Sequence, residues 1–156
     1  MRRLPVGRNR DMTEEIKESF SPEETFHIGR ELAMQCTGGE IVLLNGDLGT
    51  GKTVFAKGFG DGLGITEPIN SPTFTIVQVY EEGRLPLYHF DVYRIADVGE
   101  MDEIGYEDYF YGDGVCLVEW AELITELLPE QVIAVSIEKD LEKGFDYLKI
   151  KILNYD

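Results

Sequence analysis

The feature that most constrains the fold is an eight-residue stretch at positions 46–53, Gly-Asp-Leu-Gly-Thr-Gly-Lys-Thr. It fits the pattern G-x-x-x-x-G-K-[ST], which is typical of a phosphate-binding loop (P-loop). Residues 41–44 before it are a short apolar run that predicts a buried parallel strand. Residues 54–59 behind it have the apolar spacing of a helix packed on a sheet. A strand, a glycine loop and a helix in direct succession predict an α/β domain of the P-loop NTPase class.

The residue types of this stretch suit the capture of a triphosphate. Gly46, Gly49 and Gly51 allow backbone angles and close approaches that a Cβ would forbid. The free amides and the positive end of the following helix then form an anion cradle. Lys52 can reach the β- and γ-phosphates, and the Thr53 hydroxyl can ligate Mg²⁺. The alternative, a glycine-rich turn that binds nothing, is disfavoured by the strand–helix setting, so we predict nucleotide binding.

Composition and charge divide the chain into a short arm and one domain. Of 156 residues, 43% are hydrophobic, which is enough for a single core. Residues 1–10 hold four arginines and no acid, and we interpret them as a basic arm. Residues 11–156, the predicted P-loop ATPase domain, then carry 10 basic against 30 acidic side chains, a formal charge of −20. Such a body should be repelled by nucleic-acid phosphates and favours a basic partner, unless its acidity only maintains solubility.

Compartment and redox state follow from the same composition. The chain has no apolar run long enough to cross a bilayer and no signal-peptide pattern, so a cytoplasmic protein without membrane association is expected. Cys36 and Cys116 are the only cysteines and form no C-x-x-C pair. Reduced, buried thiols are therefore expected rather than a disulfide or a structural zinc site.

The first half of the chain predicts an edge strand and two helices. An edge strand is expected at 12–20, and Ser21, Pro22 and Glu24 predict a helix start as cap, first helical residue and capping-box acid. The glycines that follow the loop helix are interpreted as helix termination and a flexible connector. They are Gly58, Gly60, Gly62 and Gly64.

The second half predicts mostly strands. Residues 75–80 and 85–90 read as an antiparallel hairpin joined by a turn at 81–84. Residues 132–137 and 147–152 read as two closing strands. Together with the parallel strand before the loop, these predict a single α/β domain with a mixed parallel and antiparallel sheet flanked by helices.

Two strand ends supply candidates for an acid beside the metal. The apolar strand 115–119 ends at Glu119, which is the first choice for a metal ligand, and Asp91 is its competitor. Either acid alone is equally well explained as an ordinary strand end. Trp120 is the only tryptophan, and it is either a core residue or a lid beside the nucleotide. His27 and His89 have no partner spacing, so neither is predicted to be catalytic.

Residues 95–138 contain no lysine or arginine. Within them, the segment 101–111 mixes acids with aromatic residues. It is either a short amphipathic helix whose acids are solvated or an acidic, aromatic docking surface for a partner. The first interpretation is favoured.

With these motifs placed, the sequence resembles the bacterial TsaE (YjeE) family of small ATPases required for threonylcarbamoyladenosine modification of tRNA. The resemblance covers residue 21 to the C-terminus and rests on an ordered set of motifs. They are Ser-Pro-Glu-Glu-Thr at 21–25, the phosphate loop at 46–53, Ser-Pro-Thr-Phe at 71–74, His-Phe-Asp-Val-Tyr-Arg at 89–94 and Glu-Trp at 119–120. The loop is shared by many proteins, whereas the ordered set is specific.

The resemblance implies a Mg²⁺-dependent ATPase that acts on the TsaD and TsaB proteins, with TsaD modifying adenosine 37 of ANN-decoding tRNAs and tRNA contacted only through these partners. It implies that Thr73 senses the γ-phosphate and that Asp91 supports the metal or the attacking water. Together with Lys52, these two are the expected catalytic residues. It further implies Mg²⁺ ligation by Thr53 and Glu119. The nucleotide contacts implied, with Trp120 added as the lid candidate, are Thr25, Gly49, Thr50, Gly51, Lys52, Thr53 and Val54.

The sequence departs from the family pattern at two places. Thr50 stands where alanine is common, and Lys143-Gly144-Phe145 stands where many members have Gly-Arg, which leaves Lys143 as the candidate for a basic contact.

Two functions remain as alternatives to the weak, partner-stimulated ATPase. One is a small-molecule or nucleotide kinase, and the other is a non-hydrolysing nucleotide-sensing interaction module. The kinase is disfavoured because only Arg30, Arg84 and Arg94 lie outside the arm.

Overall fold

The computed structural model describes residues 12–46, 51–70, 72 and 75–155. The proposed basic arm at 1–10 lies outside the described residues. No helix in the described part of the chain is long and apolar enough to cross a membrane.

Seven strands form one mixed sheet. Their bounds are β1 Met12–Ser19, β2 Ile41–Gly46, β3 Val77–Tyr80, β4 Leu87–Asp91, β5 Val115–Glu119, β6 Ile133–Lys139 and β7 Leu148–Tyr155. The spatial order is β1-β7-β6-β2-β5-β4-β3. The four central strands β6, β2, β5 and β4 are parallel. β7 pairs antiparallel with β6 and β3 with β4, and the edge strand β1 pairs antiparallel with β7. The predicted mixed α/β sheet is therefore confirmed, with its parallel core around β2.

Helices cover both faces of this sheet. The first face carries α1 Pro22–Met34 and α2 Lys52–Gly62, and the second carries α3 Gly99–Glu103, α4 Tyr106–Phe110 and a 3₁₀ helix Ala121–Leu127. A second 3₁₀ turn, Leu141–Lys143, lies between β6 and β7. Because side chains alternate along a strand, β5 sends Val115 and Leu117 to the first core and Cys116 and Val118 to the second.

Helix α1 begins as its sequence predicts. Ser21 is the N-cap, and its hydroxyl accepts a hydrogen bond of 3.1 Å from the Glu24 amide. The Glu24 carboxylate in turn accepts from the Phe20 amide at 2.7 Å, one residue earlier than in a standard capping box. Such a cap typically contributes about 1 kcal/mol to the stability of the helix.

The interpretation of the glycines after the loop as helix termination and a connector was wrong for Gly58 and Gly60, which lie inside α2. Gly62 is the last residue of α2, and Gly64 follows its end, as helix termination predicts. A Cβ on Gly58 would collide with the Phe26 carbonyl of α1, and one on Gly62 would collide with the Arg30 carbonyl. These glycines let the two helix backbones touch, which outweighs the cost of about 1 kcal/mol that glycine brings to a helix.

The acidic segment 101–111 forms two short helices, α3 and α4, instead of one. The break lies at Gly105, whose φ is +69°. Met101, Tyr106 and Phe110 are buried in the second core, while Tyr111 is exposed. Most of the apolar and aromatic side chains of this segment are therefore committed to packing, which weakens the case for an aromatic docking surface.

Candidate functional site

The site lies where β2 meets α2, at the carboxyl ends of the parallel strands. Gly51 is the N-cap of α2 with a φ of +86°, a left-handed backbone conformation that favours glycine. A Cβ there would lie 2.9 Å from the Leu148 side chain, so the position also has no room for one. The first amides of α2 have no partner within the helix and carry its positive dipole end, which suits an anion. Of the loop itself, positions 47–50, and with them Gly49 and Thr50, lie outside the described residues.

Lys52 and Glu119 form an ion pair at this junction. Lys52 is the first residue of α2, and its Nζ lies 3.6 Å from Glu119 Oε1. Glu119 ends β5 and is 6% exposed, so the pair is largely removed from water. The adjacency of β2 and β5 brings the two residues together, because Leu44 of β2 is in register with Glu119.

His89 is the second partner of Glu119 and was missed by sequence reasoning. It is 1% exposed on β4, and its Nε2 lies 2.8 Å from Glu119 Oε2. The signal was its spacing of two from Asp91, which places both residues on one face of the same strand. That signal is informative only once β4 is known to pair with β5.

The pKa values of the neighbouring acids Glu119 and Asp91 are shifted in opposite directions. Burial raises the pKa of Glu119, but the hydrogen bond to His89 and the Lys52 charge outweigh it, so its pKa lies below the usual value. Burial raises the pKa of Asp91, opposed by a hydrogen bond from the Tyr93 amide and reinforced by the charge of Glu119. Asp91 is in register with Glu119. Its Oδ1 accepts the hydrogen bond from the Tyr93 amide at 3.0 Å.

Trp120 completes this corner of the molecule. Its φ is +65°, the one left-handed non-glycine residue in the part of the chain that the structure describes. Such a conformation costs of order 1 kcal/mol and often marks a functional site. The Lys52 ammonium lies 5.1 Å from the centroid of its ring, and Tyr93 packs against that ring with centroids 4.7 Å apart. Trp120 is half-buried: it packs against the second core and lies beside the lysine.

A cavity of about 290 Å³ adjoins Gly51 on the side of the β6–β7 hairpin. Thr25 and Val54 line it, together with Lys139 and Phe145. Phe145 is 82% exposed, and the Lys139 ammonium lies 5.7 Å from its ring centroid. Lys143, the residue expected to make a basic contact, instead lies 3.4 Å from Glu18 and does not line the cavity. Lys139 is thus the basic residue that the hairpin presents to this cavity.

The structure brings most of the sequence-predicted residues together. Gly51, Lys52, Asp91, Glu119 and Trp120 converge at the carboxyl edge, with Thr53 exposed on the first turn of α2 and Thr25 and Val54 at the adjoining cavity. Thr73 lies outside the described residues, as do Gly49 and Thr50. Among residues 12–46, 51–70, 72 and 75–155, no group of three or more His, Cys, Asp and Glu side chains could hold a metal ion.

The fold and this edge define an α/β protein with a mixed seven-stranded sheet, in which a lysine at a strand–loop–helix junction faces a buried strand-end acid. Residues 19–145 match the sequence model of the family described as threonylcarbamoyl adenosine biosynthesis protein TsaE. The match spans most of the chain, and the chain therefore belongs to the TsaE family.

Individual relatives agree with this assignment. The chain is 52% identical over 121 residues to the tRNA threonylcarbamoyladenosine biosynthesis protein TsaE of Bacillus subtilis, which covers 78% of this chain and 75% of that protein. It is 44% identical to the protein of the same name from Treponema pallidum, which covers 76% and 87%. A crystal structure of Bacillus subtilis YdiB superposes with a TM-score of 0.77 at 40% identity, covering 94% of this chain and 88% of that one.

Proposed function

We propose that this protein is a Mg²⁺-dependent ATP-binding and ATP-hydrolysing accessory protein of the threonylcarbamoyladenosine modification of tRNA. Membership of the TsaE family supports the pathway. The observation that supports the nucleotide chemistry is the buried Lys52–Glu119 pair at the N-terminus of α2. A lysine and a strand-end acid on either side of a helix N-terminus are what phosphate capture with a divalent cation requires.

The residues of this edge fit ATP and Mg²⁺. Gly51 and the first amides of α2 would hold phosphate oxygens. Lys52 would turn away from Glu119 and neutralise the phosphate charge. Thr53 and Glu119 would be the protein ligands of Mg²⁺, an ion that commonly takes one or two protein oxygens and completes its shell with phosphates and water. The bound cation would stabilise the charge that develops on the phosphates.

Hydrolysis would depend on Asp91, which lies next to Glu119 on the neighbouring strand. Its carboxylate would orient the attacking water. Thr73 would report the presence of the γ-phosphate. Neither an arginine finger nor a water-orienting glutamine can be assigned, so turnover by the protein alone should be slow. We expect the TsaD–TsaB complex to raise it.

The acidic surface supports a division of labour with these partners. A formal net charge of −16 opposes direct binding of tRNA, so the partners would handle the RNA while this protein docks on them. Salt should then weaken the docking more than it weakens nucleotide binding.

A coupled ATPase assay of the protein alone and with TsaD and TsaB tests the proposal, together with calorimetry of ATP with Mg²⁺. Slow turnover that rises with the partners is expected. Turnover at typical kinase rates without partners, or no heat of binding, would contradict it. Asp91→Ala should retain ATP binding and lose the stimulated turnover, whereas a non-hydrolysing sensor would lose nothing functional.

The engagement of the arginines further disfavours the kinase alternative. Arg30 pairs with Asp61 at 2.8 Å, and the Arg84 guanidinium donates to the Ala33 and Cys36 carbonyls at the end of α1. Both therefore have structural partners away from the phosphate site. A screen of acceptors with labelled ATP should yield no phosphorylated product.

A further inference from the structure

The contact between His89 and Glu119 has no role in the function proposed so far. His89 is 1% exposed, and its Nε2 lies 2.8 Å from Glu119 Oε2. Its other ring nitrogen, Nδ1, is buried and has no hydrogen-bond partner among the residues that the structure describes. A histidine that satisfies one nitrogen and leaves the other unpaired inside the protein calls for an explanation.

The geometry assigns the proton of this contact. An ionised carboxylate only accepts hydrogen bonds, so Nε2 donates to Oε2 and Nδ1 is the nitrogen left unpaired. An unpaired buried polar atom costs about 1–3 kcal/mol. A leucine of similar size would fill the same space between the strands without that cost. Packing alone therefore does not account for a histidine at this position.

The contact determines how Glu119 presents its two oxygens. Oε2 is taken by His89, and Oε1 faces Lys52 at 3.6 Å. Asp91 projects on the same face as His89, but its Oδ1 is bonded to the Tyr93 amide. Among the described contacts of the Glu119 carboxylate, the ring of His89 makes the shortest one.

We propose that His89 is a positioning residue that orients the Glu119 carboxylate, reserving Oε1 on the Lys52 side as the oxygen offered to the divalent cation. This inference rests on the proposed function. When Lys52 turns to the phosphates, His89 keeps the carboxylate in place, because its own contact involves only the other oxygen. A residue that orients a metal ligand without touching the metal typically changes metal affinity by about 10- to 100-fold when it is lost.

The test separates metal affinity from nucleotide affinity in the full chain. The Mg²⁺ concentration for half-saturation of ATP binding would be titrated by calorimetry and by the fluorescence of Trp120, the only tryptophan. ATP affinity would be measured again in EDTA. For His89→Leu, we expect the half-saturating Mg²⁺ concentration to rise at least about tenfold, with ATP affinity in EDTA unchanged within about twofold.

Rescue distinguishes positioning from packing. In His89→Gln the amide nitrogen occupies the place of Nε2 and can still donate, so we expect a half-saturating concentration within about threefold of wild type. In His89→Asn the donor is too short to reach Oε2, and the value should resemble that of His89→Leu. His27→Leu is the matched control, because His27 is exposed on α1 and contacts Glu31. It should change nothing.

A double-mutant cycle gives the decisive comparison. In a Glu119→Gln background, His89→Leu should add no further loss of Mg²⁺ affinity, since the group it orients has changed. An unchanged Mg²⁺ requirement in His89→Leu, equal behaviour of the Gln and Asn variants, or a full additional loss in the Glu119→Gln background would each overturn the proposal. If His89→Leu does not fold, the Gln and Asn pair decides. A wild-type protein without Mg²⁺-dependent ATP binding would instead refute the proposed function, on which this inference rests.

Discussion

The two ends of the parallel strands differ in how their polar groups are satisfied. At the amino end, a cavity of about 400 Å³ is lined by residues that include Cys36, Glu40 and Tyr155. The Glu40 carboxylate there accepts hydrogen bonds from the Thr37 and Gly38 amides, each at 2.8 Å, and so completes a local turn. At the carboxyl end the cavity is smaller, but Lys52 and His89 both contact the carboxylate of Glu119.

The chemistry that we propose belongs to the end with the smaller cavity, so the proposal rests on the contacts of the side chains and not on cavity size. The amino end is larger, yet its acid is already saturated by its own turn. The carboxyl end has an orphaned nitrogen, a left-handed tryptophan and a lysine shared between an acid and a ring. Groups that are strained or incompletely satisfied without a ligand are typical of a binding site.

The largest expected effect comes from removing the lysine at the carboxyl end. Lys52→Ala should weaken ATP binding at least about thirtyfold, because loss of one partner of a buried, hydrogen-bonded charge contact typically costs 2–5 kcal/mol. Lys57→Ala, on an exposed position of the same helix, is the control and should bind as wild type does. Calorimetry of ATP with Mg²⁺ measures both. Wild-type affinity in Lys52→Ala would remove the distinction between the two ends.

A smaller effect is expected at the outer limit of the carboxyl-end site. Phe145 is 82% exposed beside the cavity that adjoins Gly51, and an exposed ring next to a phosphate site suits stacking with a base. Phe145→Ala should weaken ATP binding about fivefold or more, since base–aromatic stacking contributes about 1–3 kcal/mol. Leu141→Ala, another exposed position between β6 and β7, is the matched control. Equal ATP affinities of Phe145→Ala and Leu141→Ala would show that Phe145 does not contact the base and that binding depends on the phosphates.

At the amino end, a change should affect stability and leave binding untouched. Burial opposes the ionised form of Glu40, but hydrogen bonds from Thr37 and Gly38 outweigh it and lower its pKa. The stabilisation is thus present above the ordinary carboxyl pKa and is lost as pH falls through the lowered value in the folded protein. Glu40→Gln should reduce the free energy of unfolding by about 1 kcal/mol at pH 7.

Denaturant unfolding of wild type and Glu40→Gln at pH 7 and at pH 3 measures this effect, with ATP calorimetry at pH 7 beside it. The difference between the two proteins should narrow at the lower pH, where the wild-type carboxylate becomes protonated. A loss of ATP affinity in Glu40→Gln at unchanged stability would assign the amino end a role in binding.

The smallest expected effect is an absence of reaction at the two thiols. Burial raises the pKa of Cys36 to about 12, with the charge of Glu40 adding to it, and burial alone raises that of Cys116 to about 12. Because the thiolate is the reactive form, neither should be labelled by a disulfide reagent at pH 8 in the folded protein. Both should react at once in denaturant. Rapid labelling of Cys36 in the native protein would show that the amino-end cavity opens to solvent.

Much of the fold was predictable because the signals are local. The cap at Ser21, the strand before the phosphate loop and the hairpin of β3 and β4 depend on residues a few positions apart. Gly58 of α2 was misread because its reason lies in α1, which approaches its backbone. The segment at 101–111 was placed correctly as helical, but its break at Gly105 and its buried aromatics depend on the core beneath it.

The candidate site was predictable in its residues but not in its contacts. The sequence made Glu119 the first choice over Asp91, but each is equally well explained as an ordinary strand-end acid. The pairing of β4 with β5 places them side by side. There, burial raises the pKa of Asp91, whereas His89 and Lys52 lower the pKa of Glu119 against the effect of burial. The same pairing makes His89 a partner of Glu119, although its sequence neighbours suggest no role. For a similar reason Lys139, and not Lys143, lines the cavity beside Gly51, since Lys143 pairs with Glu18 of the edge strand.

By itself the sequence determined most of the elements, the glycine-rich motif and the family, because periodicity, caps and ordered motifs are properties of neighbouring residues. Only the tertiary structure decided which strand lies beside which, and with it the contacts of Glu119. Strand order depends on packing across both faces of the sheet and on pairing between residues as far apart in sequence as Met12 and Tyr155. The carboxylate of Glu119 acquires its orientation from one neighbouring strand and its counter-ion from α2, and neither neighbour is adjacent to it in sequence.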